Sequence, residues 1–115
     1  MGCKNNTQIG GVIITISIFI YTRDNHYAEI ITHEVMEKLG IVDKFKCTIE
    51  PYWKFEDMVI SVVELDNNFF LKDERLKLIA EKWERYPQFI ITSNTIIDNI
   101  IKISDVAMID IWMTN

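Results

Sequence analysis

From Ile9 to Thr22 the chain carries no charged residue and is built mainly from β-branched side chains, with VIITISIFIY at its centre. A bilayer-spanning helix needs about 20 apolar residues, so the run is too short to cross a membrane. It also lacks the basic n-region and small-residue cleavage site of a secretory signal. β-Branched residues favour extended backbone. Apolar side chains fall on both faces of a period-two ladder from Val12 to Tyr21, the pattern of a central strand. This strand is the fixed point around which the rest of the chain must fold.

Met1 to Gln8 reads as a polar tail, and Thr22 to Asn25 as a turn that supplies a helix cap. A helix is expected from His26 to Leu39, with Ala28, Ile31, Val35 and Leu39 as its core stripe and Gly40 as its stop. Phe45 to Trp53 alternates as a strand does: Phe45, Cys47 and Ile49 point one way, and Lys46, Thr48 and Glu50 the other. Pro51 removes a ladder donor, so that strand ends there or lies at an edge. Met58 to Leu65 follows closely enough to form a hairpin. A second helix is expected from Phe70 or Lys72 to Arg85, with Leu76, Ile79, Ala80 and Trp83 buried. Asp73 and Glu74 in its first turn and Lys82 and Arg85 in its last match the helix dipole.

Pro87 blocks any extension of that helix, and Gln88 to Thr92 reads as a fourth strand. Thr95 with Asp98 marks a short helix to about Lys102. Val106 to Met113 closes the chain as a fifth strand, with Ala107, Ile109, Ile111 and Met113 on one face. The first six elements spell β-α-β-β-α-β, the ferredoxin-like order. The expected fold is an α+β sandwich with a mainly antiparallel five-stranded sheet, an extra short helix and a C-terminal strand. No internal repeat or linker divides residues 9–115, which read as one domain of a 115-residue chain.

Charge is distributed unevenly. Of 17 acidic and 12 basic residues, the window Glu50 to Glu74 holds Glu50, Glu56, Asp57, Glu64, Asp66, Asp73 and Glu74 against Lys54 and Lys72. Elsewhere acids and bases balance, so this window accounts for the net charge of −5. Tyr52, Trp53, Phe55, Phe69 and Phe70 lie among its acids. Acidic groups steer a basic partner, and aromatic rings anchor it after docking. The competing reading packs Tyr52, Trp53 and Phe55 under a hairpin loop and uses Phe69 and Phe70 to plug the core. A pI near 4.9 with no Lys or Arg cluster argues against nucleic acid as the ligand.

Catalytic chemistry finds no foothold. His26, Glu29, His33 and Glu37 share a helix face at i, i+4 spacings, but no HExxH motif accompanies them, and a solvated polar face explains them. Cys47 lies among apolar neighbours without an activating base, and Cys3 sits in the polar tail. Two cysteines so placed make no disulfide framework and fit a reducing, cytoplasmic setting. Met1-Gly2-Cys3 would suit dual acylation only with Ser or Thr at position six, where the chain has Asn6. Glu64 and Asp66 share a strand face, yet no histidine or pocket signal joins them. No phosphate loop, dinucleotide fingerprint or nucleophile elbow occurs.

These features lead to an expectation of a small, acidic, non-enzymatic protein-binding domain with no cofactor or metal, and no nucleic-acid or membrane partner. Its most concrete form is an immunity or antitoxin protein that neutralises a basic, nuclease-like toxin. The contact set would be Glu50, Tyr52, Trp53, Phe55, Glu56, Asp57, Glu64, Asp66, Asp73 and Glu74. The alternative is a ferredoxin-like regulatory or small-molecule-binding domain that dimerises through its sheet.

Overall fold

A computed structural model of the chain describes residues 13–41, 45–65, 72–92 and 101–114. Within them, six strands form one sheet in the order β2-β3-β1-β6-β5-β4, with every neighbouring pair antiparallel. The strands are β1 (Ile13–Ile20), β2 (Lys46–Pro51), β3 (Val59–Leu65), β4 (Trp83–Arg85), β5 (Phe89–Thr92) and β6 (Val106–Thr114). The helices are α1 (Asn25–Leu39) and α2 (Asp73–Leu76). The molecule is thus α+β with one antiparallel sheet, as expected, but the sheet has six strands instead of five.

β1 occupies the centre, hydrogen-bonded to β3 on one side and β6 on the other. Ile14, Ile16, Ile18 and Ile20 point from it into the core and are almost fully buried. Burying four isoleucines contributes about 1.5–3 kcal/mol for each side chain, which makes β1 the main anchor of the fold. β2 and β4 are the sheet edges.

α1 starts where the Asp24 carboxylate accepts the His26 amide at 2.9 Å. It ends at Gly40, whose φ of 84° is left-handed and whose amide donates to the last carbonyls. The predicted stripe of Ala28, Ile31, Val35 and Leu39 is buried, joined by Thr32 and Met36. Thr32 reaches the Ser61 hydroxyl of β3 at 2.7 Å, so a buried polar pair pins the helix to the sheet.

The expected second helix is corrected. Only Asp73–Leu76 is α-helical, and the backbone then proceeds through tighter turns, with the Ile79 amide donating to the Leu76 carbonyl at 3.0 Å. Leu76, Ile79 and Ala80 are buried as the apolar spacing required. Trp83 is not the helix's next turn. Its indole N–H donates to the Leu76 carbonyl at 3.0 Å, and Trp83–Arg85 becomes strand β4. The Tyr86 amide donates to the Phe89 carbonyl at 2.8 Å, closing a hairpin around Pro87 and Gln88. Helix propensity here yields to the gain of extending the sheet by a strand.

The short helix expected from Thr95 lies mostly outside the described residues. Its described end is not helical: Ile101 bridges Ala80, and the Lys102 amide donates to Ile79 at 2.6 Å. The N-terminal tail also lies outside the described residues.

Candidate functional site

α1, α2 and the turn through Ala80 pack on one side of the sheet, where the buried residues gather. Among the described residues no helix packs on the other side. Strand alternation sends Thr15, Ser17 and Phe19 of β1 to this open face, with Ile60, Val62 and Glu64 of β3 and Met108, Asp110 and Trp112 of β6.

The pairing register arranges the open face in rows. One row reads Tyr86, Phe89, Trp112, Thr15, Glu64, Lys46. The next reads Glu84, Ile91, Asp110, Ser17, Val62, Thr48. A third carries Met108, Phe19, Ile60 and Glu50. Over these rows the face presents four carboxylates, Glu50, Glu64, Glu84 and Asp110, against one ammonium, Lys46. Its aliphatic members are Ile60, Val62, Ile91 and Met108, with Asp110 and Ser17 standing between Ile91 and Val62.

Aromatic rings occupy both ends of this face. At one end the β2–β3 turn is held by the Tyr52 amide to the Met58 carbonyl at 3.0 Å and the Phe55 amide to Tyr52 at 3.3 Å. The Tyr52 ring lies edge-on to Phe19 at 5.2 Å and contacts Trp53 at 5.9 Å and Phe55 at 5.8 Å. Trp53 is 86% exposed and Phe55 52% exposed. An indole left in solvent on a hydrogen-bonded turn is not core packing, whereas Tyr52 bridges it to the sheet. Glu50, Glu56 and Asp57 are all exposed around it. At the other end Tyr86 stacks on Phe89 at 4.6 Å, and Phe89 on Trp112 at 4.2 Å, with rings 15° and 16° from parallel.

Of the residues expected from sequence, the structure therefore brings together Glu50, Tyr52, Trp53, Phe55, Glu56 and Asp57. Glu64 shares the open face but lies at the far end of β3, about 20 Å along the strand from the turn. Asp73 and Glu74 belong to α2, which packs against α1 on the opposite side of the sheet. Asp73 there pairs with Arg85 at 2.7 Å, with both side chains exposed. Asp66, Phe69 and Phe70 lie outside the described residues. The acidic window thus separates into an aromatic-rich turn, one distant face residue and a remote helix start.

Sequence reasoning missed Phe19, Tyr86, Phe89, Trp112 and Asp110. Their signal was present in alternation: Trp112 and Asp110 occupy the opposite parity from Ile109 and Ile111. Asp110 is the most unusual polar group on the face. One carboxylate oxygen, Oδ1, is enclosed without a hydrogen-bond partner among the described residues, and the side chain accepts a hydrogen bond from Ser17. Burial pushes its pKa above the usual carboxylate value, partly offset by the Ser17 bond.

The remaining chemistry is sparse. His26, Glu29, His33 and Glu37 are exposed along α1, and His33 lies 4.9 Å from the Phe45 ring. Among the described residues no three His, Cys, Asp or Glu side chains converge to hold a metal ion. Cys47 is half-buried beside Ser61, and burial followed by the Glu29 charge raises its pKa, which favours the unreactive thiol. A depression of about 480 Å³ between α2 and β4 mixes Asp73, Glu81 and Glu84 with Lys77, Lys82 and Arg85, so neither sign of charge dominates it. No helix among the described residues is long and apolar enough to cross a membrane. The sequence matches no protein-family model, no curated protein and no solved structure.

Proposed function

We propose that the protein is a non-catalytic binding domain that docks a basic protein partner on the open face of its sheet. Its most concrete form is an immunity or antitoxin-type inhibitor that neutralises a cationic, nuclease-like toxin. The observation that carries this reading is Trp53, 86% exposed on a hydrogen-bonded turn and flanked by Glu50, Glu56 and Asp57. A rigid exposed indole loses little entropy on docking and buries a large area, while the carboxylates around it draw in Lys and Arg. A toxin surface that holds nucleic-acid phosphates is complementary to the same carboxylates.

The frame suits that role. We read β2-β3-β1-β6 with α1 as a ferredoxin-like core, widened by the β4–β5 hairpin. Such a frame covers one sheet face with helices and leaves the other for a partner. A six-stranded face with strands about 4.8 Å apart is about 24 Å wide, so a standard interface of about 800 Å² from each side would take in the Trp53 turn as well as the strands.

Affinity capture from native lysate tests the proposal, with the wild-type chain and Trp53→Ala compared side by side. The expected result is a protein of basic pI that is retained by the wild type and elutes with rising salt. Its affinity should fall at least tenfold for Trp53→Ala, consistent with an aromatic hot spot of about 2 kcal/mol. A captured protein indifferent to both salt and Trp53 would overturn the reading.

A second reading draws on the apolar residues of the face. Ile60, Val62, Ile91 and Met108 would suit a second copy of the chain, giving a sheet-to-sheet dimer. Light-scattering mass at micromolar concentration separates the two readings. A monomer favours the basic partner, and a dimer that survives Trp53→Ala favours self-association.

A further inference from the structure

The stacked row on the open face stops one place short of an acid. Tyr86, Phe89 and Trp112 stack across three neighbouring strands at 4.6 and 4.2 Å, close to the spacing of the strands themselves. The next position in the row is Thr15, whose short side chain cannot continue the stack, and beyond it stands Glu64. Trp112 and Glu64 are therefore two strand spacings apart, roughly 9–10 Å, with only Thr15 between them. One flat group stacked at van der Waals distance fits that gap. Trp112 retains 39% exposure, and Glu64 is exposed.

Charge decides what kind of flat group belongs there. Glu64 forms the far wall, and Asp110 lies two residues before Trp112 on the same face, its Oδ1 enclosed without a donor among the described residues. Lys46 flanks Glu64 on its outer side and is the single base in these rows among the described residues. A neutral ring would gain the stacking but leave the surplus negative charge unanswered. An ammonium would answer the charge without the flat contact. A guanidinium supplies both, because it is planar, permanently charged and stacks on indole.

We propose that the space over Thr15, between Trp112 and Glu64, is a binding slot for an arginine side chain of the partner. The slot rests on the reading of the open face as a docking surface for a basic protein. It names the residue type that anchors the end of the face opposite Trp53. The guanidinium lies against the outer face of the Trp112 indole and pairs with Glu64, while Asp110 adds to the negative potential around it.

The test needs no partner. N-acetyl-arginine methylamide is titrated into the full chain and followed through the indole N–H resonances of Trp53, Trp83 and Trp112. The lysine and citrulline counterparts serve as controls, one charged without a flat group and one flat without charge. The arginine probe should shift Trp112 saturably and bind about tenfold more tightly than either control. Glu64→Gln, at an exposed site that leaves the core untouched, should weaken it by a similar factor, and Trp112→Leu should abolish saturable binding. Equal binding of all three probes, a shift confined to Trp53, no saturable shift, or full retention in Glu64→Gln overturns the slot. If the arginine probe fails while a captured basic protein still depends on Trp53, the slot falls and the docking face stands. If the probe binds but no basic protein is captured, the docking reading fails instead.

Discussion

Asp110 shows how a single residue can work against the fold that holds it. Its carboxylate sits half-buried in the middle of the sheet's open face, with Ser17 opposite it on β1 and Ile91 opposite it on β5. The folded chain holds its pKa above the usual carboxylate value because burial penalises the charged form. A raised acid binds its proton more tightly in the folded state than in the unfolded one. Its favourable contribution is therefore complete below the unfolded pKa and is lost as pH climbs through the folded value. Asp110→Asn should accordingly stabilise the protein at pH 7, by about 1 kcal/mol if the unpaired oxygen costs what such buried atoms usually do. The gain should vanish in acid, where the wild-type residue is already neutral. Urea midpoints for both chains at pH 7 and near pH 3.5 read this directly. A variant less stable than wild type at pH 7 would show that the charge is held by a favourable contact.

Sequence alone could not reveal this tension. An acid alternating with Ile109 and Ile111 looks like an ordinary solvent-facing strand residue. Its enclosure depends on side chains that lie close only once the sheet has formed. Trp112 hides for the same reason, since its stacking partner Phe89 comes from another strand. The residues around Trp53 were legible because their acids and rings are contiguous in sequence.

At the level of elements, α1 was readable from end to end because each of its signals is local. The Asp24 cap, the buried stripe and the Gly40 stop all lie within one stretch of chain. The segment after α2 was not readable, because two long-range bonds define it. The indole of Trp83 reaches back to Leu76, and β4 pairs with β5 instead of coiling on. Gly40 also links the two helices: a Cβ built there would lie 3.4 Å from the Arg75 Nε, and Arg75 reaches the Lys38 carbonyl at 3.4 Å. Gly40→Ala forces an L-residue to φ of 84°, while its Cβ meets that guanidinium only at ordinary van der Waals distance. It should cost about 1–2 kcal/mol, measured by urea denaturation. Adding Arg75→Ala should recover almost none of that cost, since the backbone strain at position 40 stays. If Gly40→Ala is neutral, the end of α1 does not hold its left-handed turn.

For the whole molecule the decisive quantity is where the charge lies, more than how much there is. The net charge of −5 alone would favour any basic protein, regardless of the face it met. Two matched pairs of reversals separate these cases. Glu50→Lys with Glu56→Lys changes the proposed docking end, and Glu29→Lys with Glu37→Lys changes the exposed side of α1, across the sheet. Each pair moves the net charge from −5 to −1, so any effect of total charge is identical. Association with the captured partner should slow about tenfold or more for the first pair at low salt and by no more than about twofold for the second. Screening reaches only about 8 Å at physiological ionic strength, so the two rates should converge as salt rises. Equal slowing by both pairs would mean that the partner senses the molecule's total charge and has no preferred face. In that event Trp53 would be an exposed ring without a role in recognition, and the open sheet would have to be explained by a second copy of the chain.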